Sequence, residues 1–317
     1  MSKILTRIIS FILFTSLLVG EAGCSFFNPI SAPEPTPVLL MPTARAVPTG
    51  SPTSAPTFTV TVVPTLFQTK TPEPTLVPTP WLKKQGPGKV ICPILLYHRI
   101  ATPKGNGKTG KGAVTNPYFV TPDEFRAQIQ ALKEWGYVTI TVSNLVDAIK
   151  LGRKLPARPI IISFDDGDET VYSQAFPIMR EFGFTGINYL VKNYVGTQGY
   201  MSVNQLKELS AAGWEVGSHS MTHSDLTSSK FLEFEIVHSR RNLEKMLGVP
   251  VRSFAYPFGQ ANLDLKFLVS RNYQAGMGLG VFLAQRPVDI FYLWRRPVEM
   301  GWDVDKFGSF LPWNTVP

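Results

Sequence analysis

Two aspartates, Asp165 and Asp166, stand side by side at the end of the apolar run "RPIIISFDD", and two histidines, His219 and His223, stand four apart in "GSHSMTH". The chain has only four histidines, so their placement carries more information than that of a common residue. A spacing of four can bring two imidazoles to one side of a helical turn or tight loop. With one carboxylate they make a His2Asp set, which zinc accepts while keeping a fourth position for water. A metal lowers the pKa of bound water toward about 7, and a second carboxylate nearby can accept the proton as that water attacks. Gly167 lets the chain turn sharply after the run, so that both acids can reach one mouth. Paired roles would therefore explain paired residues. The plainer alternatives are polar loop residues for the histidines and a helix N-cap for an aspartate. The N-cap suits Asp168, or Asp165, before "ETVYSQAF" but does not explain two acids ahead of Asp168. His98, in "ILLYHRI", also follows an apolar run, with a buried core histidine as its alternative; His238, in "EFEIVHSRRNLEKM", is a surface residue of a helix.

The elements that must position these residues alternate from residue 90 onward. "KVICPILLYH" is a short buried strand. "TPDEFRAQIQALKEWG" is a helix with Thr121 as N-cap, Pro122 at its first position and Glu124 completing a capping box. "YVTITV" follows as a strand and "RPIIISFDD" as a strand buried on both faces. "ETVYSQAFPIMREFG" is a helix interrupted by Pro177, "TGINYLV" a strand, "SVNQLKELSAAG" a helix and "WEVGSHS" a strand. A longer helix spans 229–247. "VRSFAYPFG", "ANLDLKFLVSRN" and "YQAGMGLG" complete the series as strand, helix and strand. Repeated strand–helix units with continuous apolar strands predict a parallel α/β domain, open or barrel-like. In such folds chemistry gathers at the carboxyl ends of the strands, where the acids and three of the histidines fall.

Together "SFDDG" and "HSMTH" resemble the first two signature motifs of the polysaccharide deacetylases, carbohydrate esterase family 4 with its NodB homology domain. The resemblance covers about 90–300. It implies a distorted (β/α) barrel and metal-dependent removal of acetyl groups from N-acetylated sugars. It also implies roles: Asp165 as general base, and Asp166, His219 and His223 as ligands of a divalent metal, Zn2+ first, with cobalt or nickel as substitutes. "AYPFG" resembles the third motif, which lines the substrate groove and places Tyr256, Pro257 and Phe258 there, with the Phe258 amide as oxyanion donor. The arginine usual in that motif corresponds to Ala255. Arg295 in "LWRRPV" is the replacement expected, with Arg296 as its rival and a surface or carboxylate-pairing role as the alternative. The family's late histidine, its general acid, is missing. The early "LLYHRI" resembles the poly-β-1,6-N-acetylglucosamine deacetylase branch, in which this strand comes first, and so implies His98 as the acid. The expected reaction is N-deacetylation of poly-N-acetylglucosamine or peptidoglycan. Rival readings are an acetyl-xylan-type esterase, another amidohydrolase on the same fold, or a non-catalytic wall-binding lipoprotein.

The 317 residues are 44% hydrophobic and 17% charged, enough for a sizeable core, but unevenly distributed. Residues 1–24 read as a signal peptide: Lys3 and Arg7, the apolar "IISFILFTSLLVG", then "EAGC". Cys24 resembles a bacterial lipoprotein cleavage cysteine, with Glu21 where an aliphatic residue is usual. The expectation is an exported protein, extracellular or at the cell surface and held on the membrane by lipid at Cys24, with simple secretion or an uncleaved anchor as the alternatives. Cys92, the second of two cysteines, is then alone and reads as a buried hydrophobe. Residues 25–89 are a Pro/Thr-rich linker, read as a disordered stalk able to reach roughly 190 Å if fully extended. The deacetylase domain is expected over 90–317. The net charge of +8 suits a solvated surface near anionic polymers. The Gly-x-Gly-x-x-Gly in "PKGNGKTGKG" has no helix pattern after it and does not cradle phosphate. No nucleic-acid partner is expected.

Overall fold

A computed structural model describes residues 87–102 and 118–317. The signal peptide, Cys24, nearly all of the 25–89 linker and the glycine-rich loop at 103–112 lie outside the described residues. The centre is an eight-stranded sheet. Its strands are β2 (Ile94–Tyr97), β5 (Val138–Thr139), β6 (Pro159–Asp166), β7 (Ile187–Leu190), β8 (Glu215–Ser218), β9 (Ser253–Ala255), β10 (Ala275–Met277) and β12 (Arg296–Pro297). The main path runs β10-β9-β8-β7-β6-β2-β12, with β5 also against β6, and every pairing is parallel. Short accessory pairs join β1 (Val90–Ile91) to β11 (Ala284–Gln285) and β3 (Arg99–Ile100) to β4 (Phe119–Val120).

The curled sheet closes through the residues just before β12. Gly278 N donates to Leu293 O, Leu293 N to Gly276 O and Gly280 N to Arg295 O, all within 2.9 Å. These bonds tie the β10 edge to the strand that pairs with β2, giving a distorted (β/α) barrel of the expected class. The "AGMGLG" stretch permits this. A Cβ on Gly278 would stand 2.3 Å from the Tyr292 ring and one on Gly280 2.2 Å from Trp294, so only glycine lets the aromatic segment approach.

Helices cover the outside. α1 (Pro122–Glu134) starts with the capping box read from sequence: Thr121 and Glu124 bond reciprocally. α3 (Phe176–Glu181), α4 (Val203–Ala211), α5 (Ser239–Leu247) and α6 (Leu263–Asn272) follow β6 to β9 in turn, and α7 (Val304–Ser309) packs on α1. Pro177 does not interrupt its helix: α3 runs on from a π turn, Val171–Ala175, with helical backbone at the junction, and the proline falls just after that widened turn.

Three further element expectations need correction. "KVICPILLYH" is two strands, because Pro93 interrupts the ladder between β1 and β2. "YVTITV" is strand only at Val138–Thr139. Thr141 caps a helix, α2 (Val142–Leu151), whose capping box uses Asn144 and which ends on left-handed Gly152. The 229–247 helix contains a π turn at Phe234–His238 before α5.

Strand alternation sorts the core. Ile160, Ile162 and Phe164 pack with the helices, whereas Ile161 joins Ile94, Tyr189, Ala255 and Met277 in a second cluster inside the barrel. Cys92 is wholly buried and unpaired there, with its thiol pKa pushed up by burial. His238 is exposed, as expected of a surface residue.

Candidate active site

At the carboxyl end of β6, Asp165 shares the face of Ile161 and Ser163 and so points inside the barrel. Alternation would send Asp166 outward to the helices. It turns back because its own backbone is left-handed, at φ 72, followed by Gly167 at φ 83. Gly167 alone does not make the turn. Asp166, Ser220, His223 and Phe258 are the non-glycine residues with positive φ among those described, and all four lie at this mouth or in the loop beneath it. Each such conformation costs about 1–3 kcal/mol and persists only where the surroundings hold it.

His219 follows β8 on the inward face. Its Nδ1 lies 2.8 Å from Ala255 O. A carbonyl can only accept, so Nδ1 carries the proton and Nε2 presents a lone pair. That Nε2 stands 3.6 Å from Asp165 Oδ2 and 3.8 Å from Asp166 Oδ1, and His223 Nε2 lies 3.5 Å from the same Oδ1. Burial pushes the His219 imidazole below its ordinary pKa, against the pull of Asp165 and Asp166. Asp166 Oδ1 is buried and has no hydrogen-bond partner among the described residues. One ligand atom from each of Asp166, His219 and His223 falls within 4.8 Å of the others. Converging lone pairs around an orphaned carboxylate oxygen fit a divalent cation, and oxygen with two imidazole nitrogens is a donor set zinc accepts.

Asp165 has a different partner. Arg295, fully buried, grips it with two prongs: Nη1 to Oδ1 at 2.6 Å and Nη2 to Oδ2 at 2.8 Å. Arg295 Nε donates to Gly278 O, and the guanidinium lies over the Tyr189 ring at 5.2 Å. Burial alone would raise the Asp165 pKa; the charge and hydrogen bonds of Arg295 outweigh it and hold the group at about 2. Arg296 is elsewhere, stacked 4.5 Å over Phe310 with a bond to Val281 O. Arg295 therefore occupies the position opposite the acids, and Arg296 does not.

The remaining expected residues are placed as follows. His98, after β2, lines the same cavity of about 520 Å³. Burial pushes its pKa down while Asp165 and Asp166 pull it back, and its ring meets Tyr118 edge-on at 4.9 Å. Phe258 is half exposed and sets its ring 4.8 Å from that of His223. Tyr256 lines the wall, but its hydroxyl donates to Phe291 O. Pro257 is buried and starts the 3-10 turn Pro257–Gly259. Asp168 proves to be the capping acid: its Oδ1 accepts from Thr170 N and Oγ1, and Arg99 pairs with its Oδ2 at 2.8 Å. Sequence reasoning missed Arg99, Phe119, Leu279 and Glu299 in the lining. Arg99 was signalled only by following His98; the others carried no signal.

Residues 152–276 match the family model described as polysaccharide deacetylase. Bacillus subtilis YxkH, named as a candidate polysaccharide deacetylase, is 25% identical over 234 residues, 73% of this chain and 79% of that one. The poly-β-1,6-N-acetyl-D-glucosamine N-deacetylase of Staphylococcus epidermidis is 31% identical over 179 residues, 51% of this chain and 62% of that protein. A solved polysaccharide deacetylase from Bacillus cereus superposes with a TM-score of 0.61 at 27% identity, covering 70% of this chain and 69% of that one.

Proposed function

We propose that the chain, whose residues 152–276 match the polysaccharide deacetylase family model, hydrolyses N-acetyl groups on an N-acetylglucosamine polymer of the cell surface. One observation carries this: the Asp166, His219 and His223 donor atoms converge beside an Arg295-paired carboxylate in a single cavity. Poly-β-1,6-N-acetylglucosamine is the favoured substrate because a relative of that named activity is 31% identical and because the candidate acid, His98, comes from the first strand of the barrel. Peptidoglycan shares the reacting group.

In this reading Asp166, His219 and His223 hold a divalent cation, zinc by donor type. When bound, that cation polarises the acetyl carbonyl and acidifies a water, which lets so weakly basic a carboxylate as Asp165 take the proton. Arg295 keeps Asp165 ionised and fixes both of its oxygens, so the proton acceptor cannot rotate away from the cavity. The Phe258 amide donates to the oxyanion that develops as the carbonyl becomes tetrahedral. An amine leaves badly as an anion, so a proton donor is needed on the opposite side; His98 protonates the nitrogen, releasing acetate and a free amine. Export, with residues 1–24 as signal, 25–89 as linker, 90–317 as catalytic domain and lipid at Cys24, completes the proposal and places the site at the cell surface.

Acetate release from defined β-1,6- and β-1,4-linked N-acetylglucosamine oligomers tests it. Release is expected from the β-1,6 series, lost on chelation and restored by zinc. Acetate freed only from acetylated xylan would point to the esterase reading, and none from any polymer would leave the wall-binding one.

A further inference from the structure

The loop that carries both imidazoles is held by a residue that the chemistry above does not use. Glu235 is buried, at 4% exposure. Its Oε2 accepts from Met221 N at 2.9 Å and Thr222 N at 3.0 Å, and its Oε1 from Thr222 Oγ1 at 2.6 Å. Among the described residues no lysine, arginine or histidine pairs with it. A buried carboxylate without a countercharge is expensive, and here all of its recorded partners lie in two consecutive residues between His219 and His223.

Those residues need holding. The loop contains two left-handed non-glycine conformations, Ser220 at φ 70 and His223 at φ 64. The other side of the loop is pinned by Lys192 N and Asn193 N, which donate to Ser220 O and Met221 O. Within it, His223 N donates to Ser220 Oγ at 2.8 Å. Glu235 closes this frame from the helix side. It does so from the π turn Phe234–His238, which inserts a residue into the helix and re-aims the side chains after it; such bulges concentrate at functional sites.

Resting on the three-ligand metal reading, we infer that Glu235 is a positioning residue, whose buried carboxylate holds the 219–223 loop so that His219 and His223 meet the cation together with Asp166. It touches neither metal nor substrate. Its effect passes through the Met221 and Thr222 amides to the imidazoles on either side. Outer partners of metal ligands typically govern metal affinity by 10–100-fold.

The test measures zinc affinity of the full-length, chelator-stripped protein by competition with a chromophoric chelator. It also records the visible spectrum of the cobalt-loaded protein and the melting temperature of the metal-free protein. Glu235→Ala is expected to weaken zinc binding by about 10–100-fold and to alter the cobalt spectrum. Glu235→Gln, whose amide oxygen can still accept the two N–H groups, is expected to lose at least about threefold, with Thr222→Val losing less, because only one of its bonds to Glu235 is removed. A purely structural role would lower the metal-free melting temperature and leave the affinity of the folded protein alone. Zinc binding by Glu235→Gln and Thr222→Val that matches wild type, with an unchanged cobalt spectrum, would overturn the inference even if Glu235→Ala does not fold. Wild-type protein that takes up no zinc would sink the three-ligand reading itself, and the role of Glu235 with it.

Discussion

Asp165 and Arg295 form a two-pronged ion pair in which neither side chain reaches solvent to any extent. Deleting one partner of such a pair leaves the other charge buried and costs about 3–5 kcal/mol. Arg295→Met is therefore expected to be destabilised by about that much in chemical unfolding. Arg295→Met combined with Asp165→Leu should cost far less than the two single changes added together. Additive losses would mean that the pair is not coupled. Asp165→Asn keeps the shape but loses the proton acceptor, so acetate release should fall by about 10²-fold or more while zinc is retained. Full activity in Asp165→Asn would remove Asp165 from the reaction. The residue types and spacing were enough to bring Asp165, Asp166, His98, His219, His223 and Arg295 to one site on paper; in space Arg295 pairs with Asp165 in that cavity, while Arg296 stacks on Phe310. What they did not carry is backbone conformation. The turn that brings Asp166 into the mouth lies in Asp166 itself, and a left-handed aspartate looks like any other aspartate in a sequence. Glu235 was equally invisible, being one acid among several in a helix.

The elements were easiest to read where local chemistry alone decides them. Thr121 with Glu124 marks the start of α1, and β6 stands out as an apolar run. The start of α2 was missed although Thr141 and Asn144 form the same device, because the β-branched run "YVTITV" outweighed it. That junction also carries a testable charge. Glu215, at the start of β8, accepts from Val142 N at 2.7 Å across the base of the barrel. Burial raises its pKa above the usual value of 4.5, partly offset by that bond. A carboxyl whose folded pKa is raised adds stability in full below its unfolded pKa, and that contribution is lost as the pH rises through the folded value. Glu215→Gln stays neutral and keeps an oxygen for the Val142 amide. The variant is expected to gain stability relative to wild type at pH 7.5 and to show no such gain at pH 4. Urea unfolding of both proteins at the two pH values checks this; a difference that does not change with pH would refute it.

At the scale of the whole molecule, the site is assembled from both ends of the domain. His98 comes from the first long strand and Arg295 from the residues that close the barrel, while the three candidate ligands and Asp165 come from the middle. The family match at 152–276 thus contains the three candidate ligands and Asp165 but neither His98 nor Arg295. Closure could not be read from the sequence, because it rests on backbone bonds between 276–280 and 293–295 that no local pattern announces. The glycines of "AGMGLG" look like turn residues until the Tyr292 and Trp294 rings are seen against them. If closure is what holds the domain together, the matched segment is not a folding unit. It has two open sheet edges, at β6 and β10, and leaves Asp165 buried without its cation. Residues 152–276 expressed alone are expected to show no cooperative unfolding transition and no zinc uptake, whereas 87–317 should unfold in one step and release acetate from soluble oligomers. A cooperative transition in the 152–276 segment would show that the sheet does not need its ends joined, and Arg295 would then be a tuning residue laid over a core that stands without it.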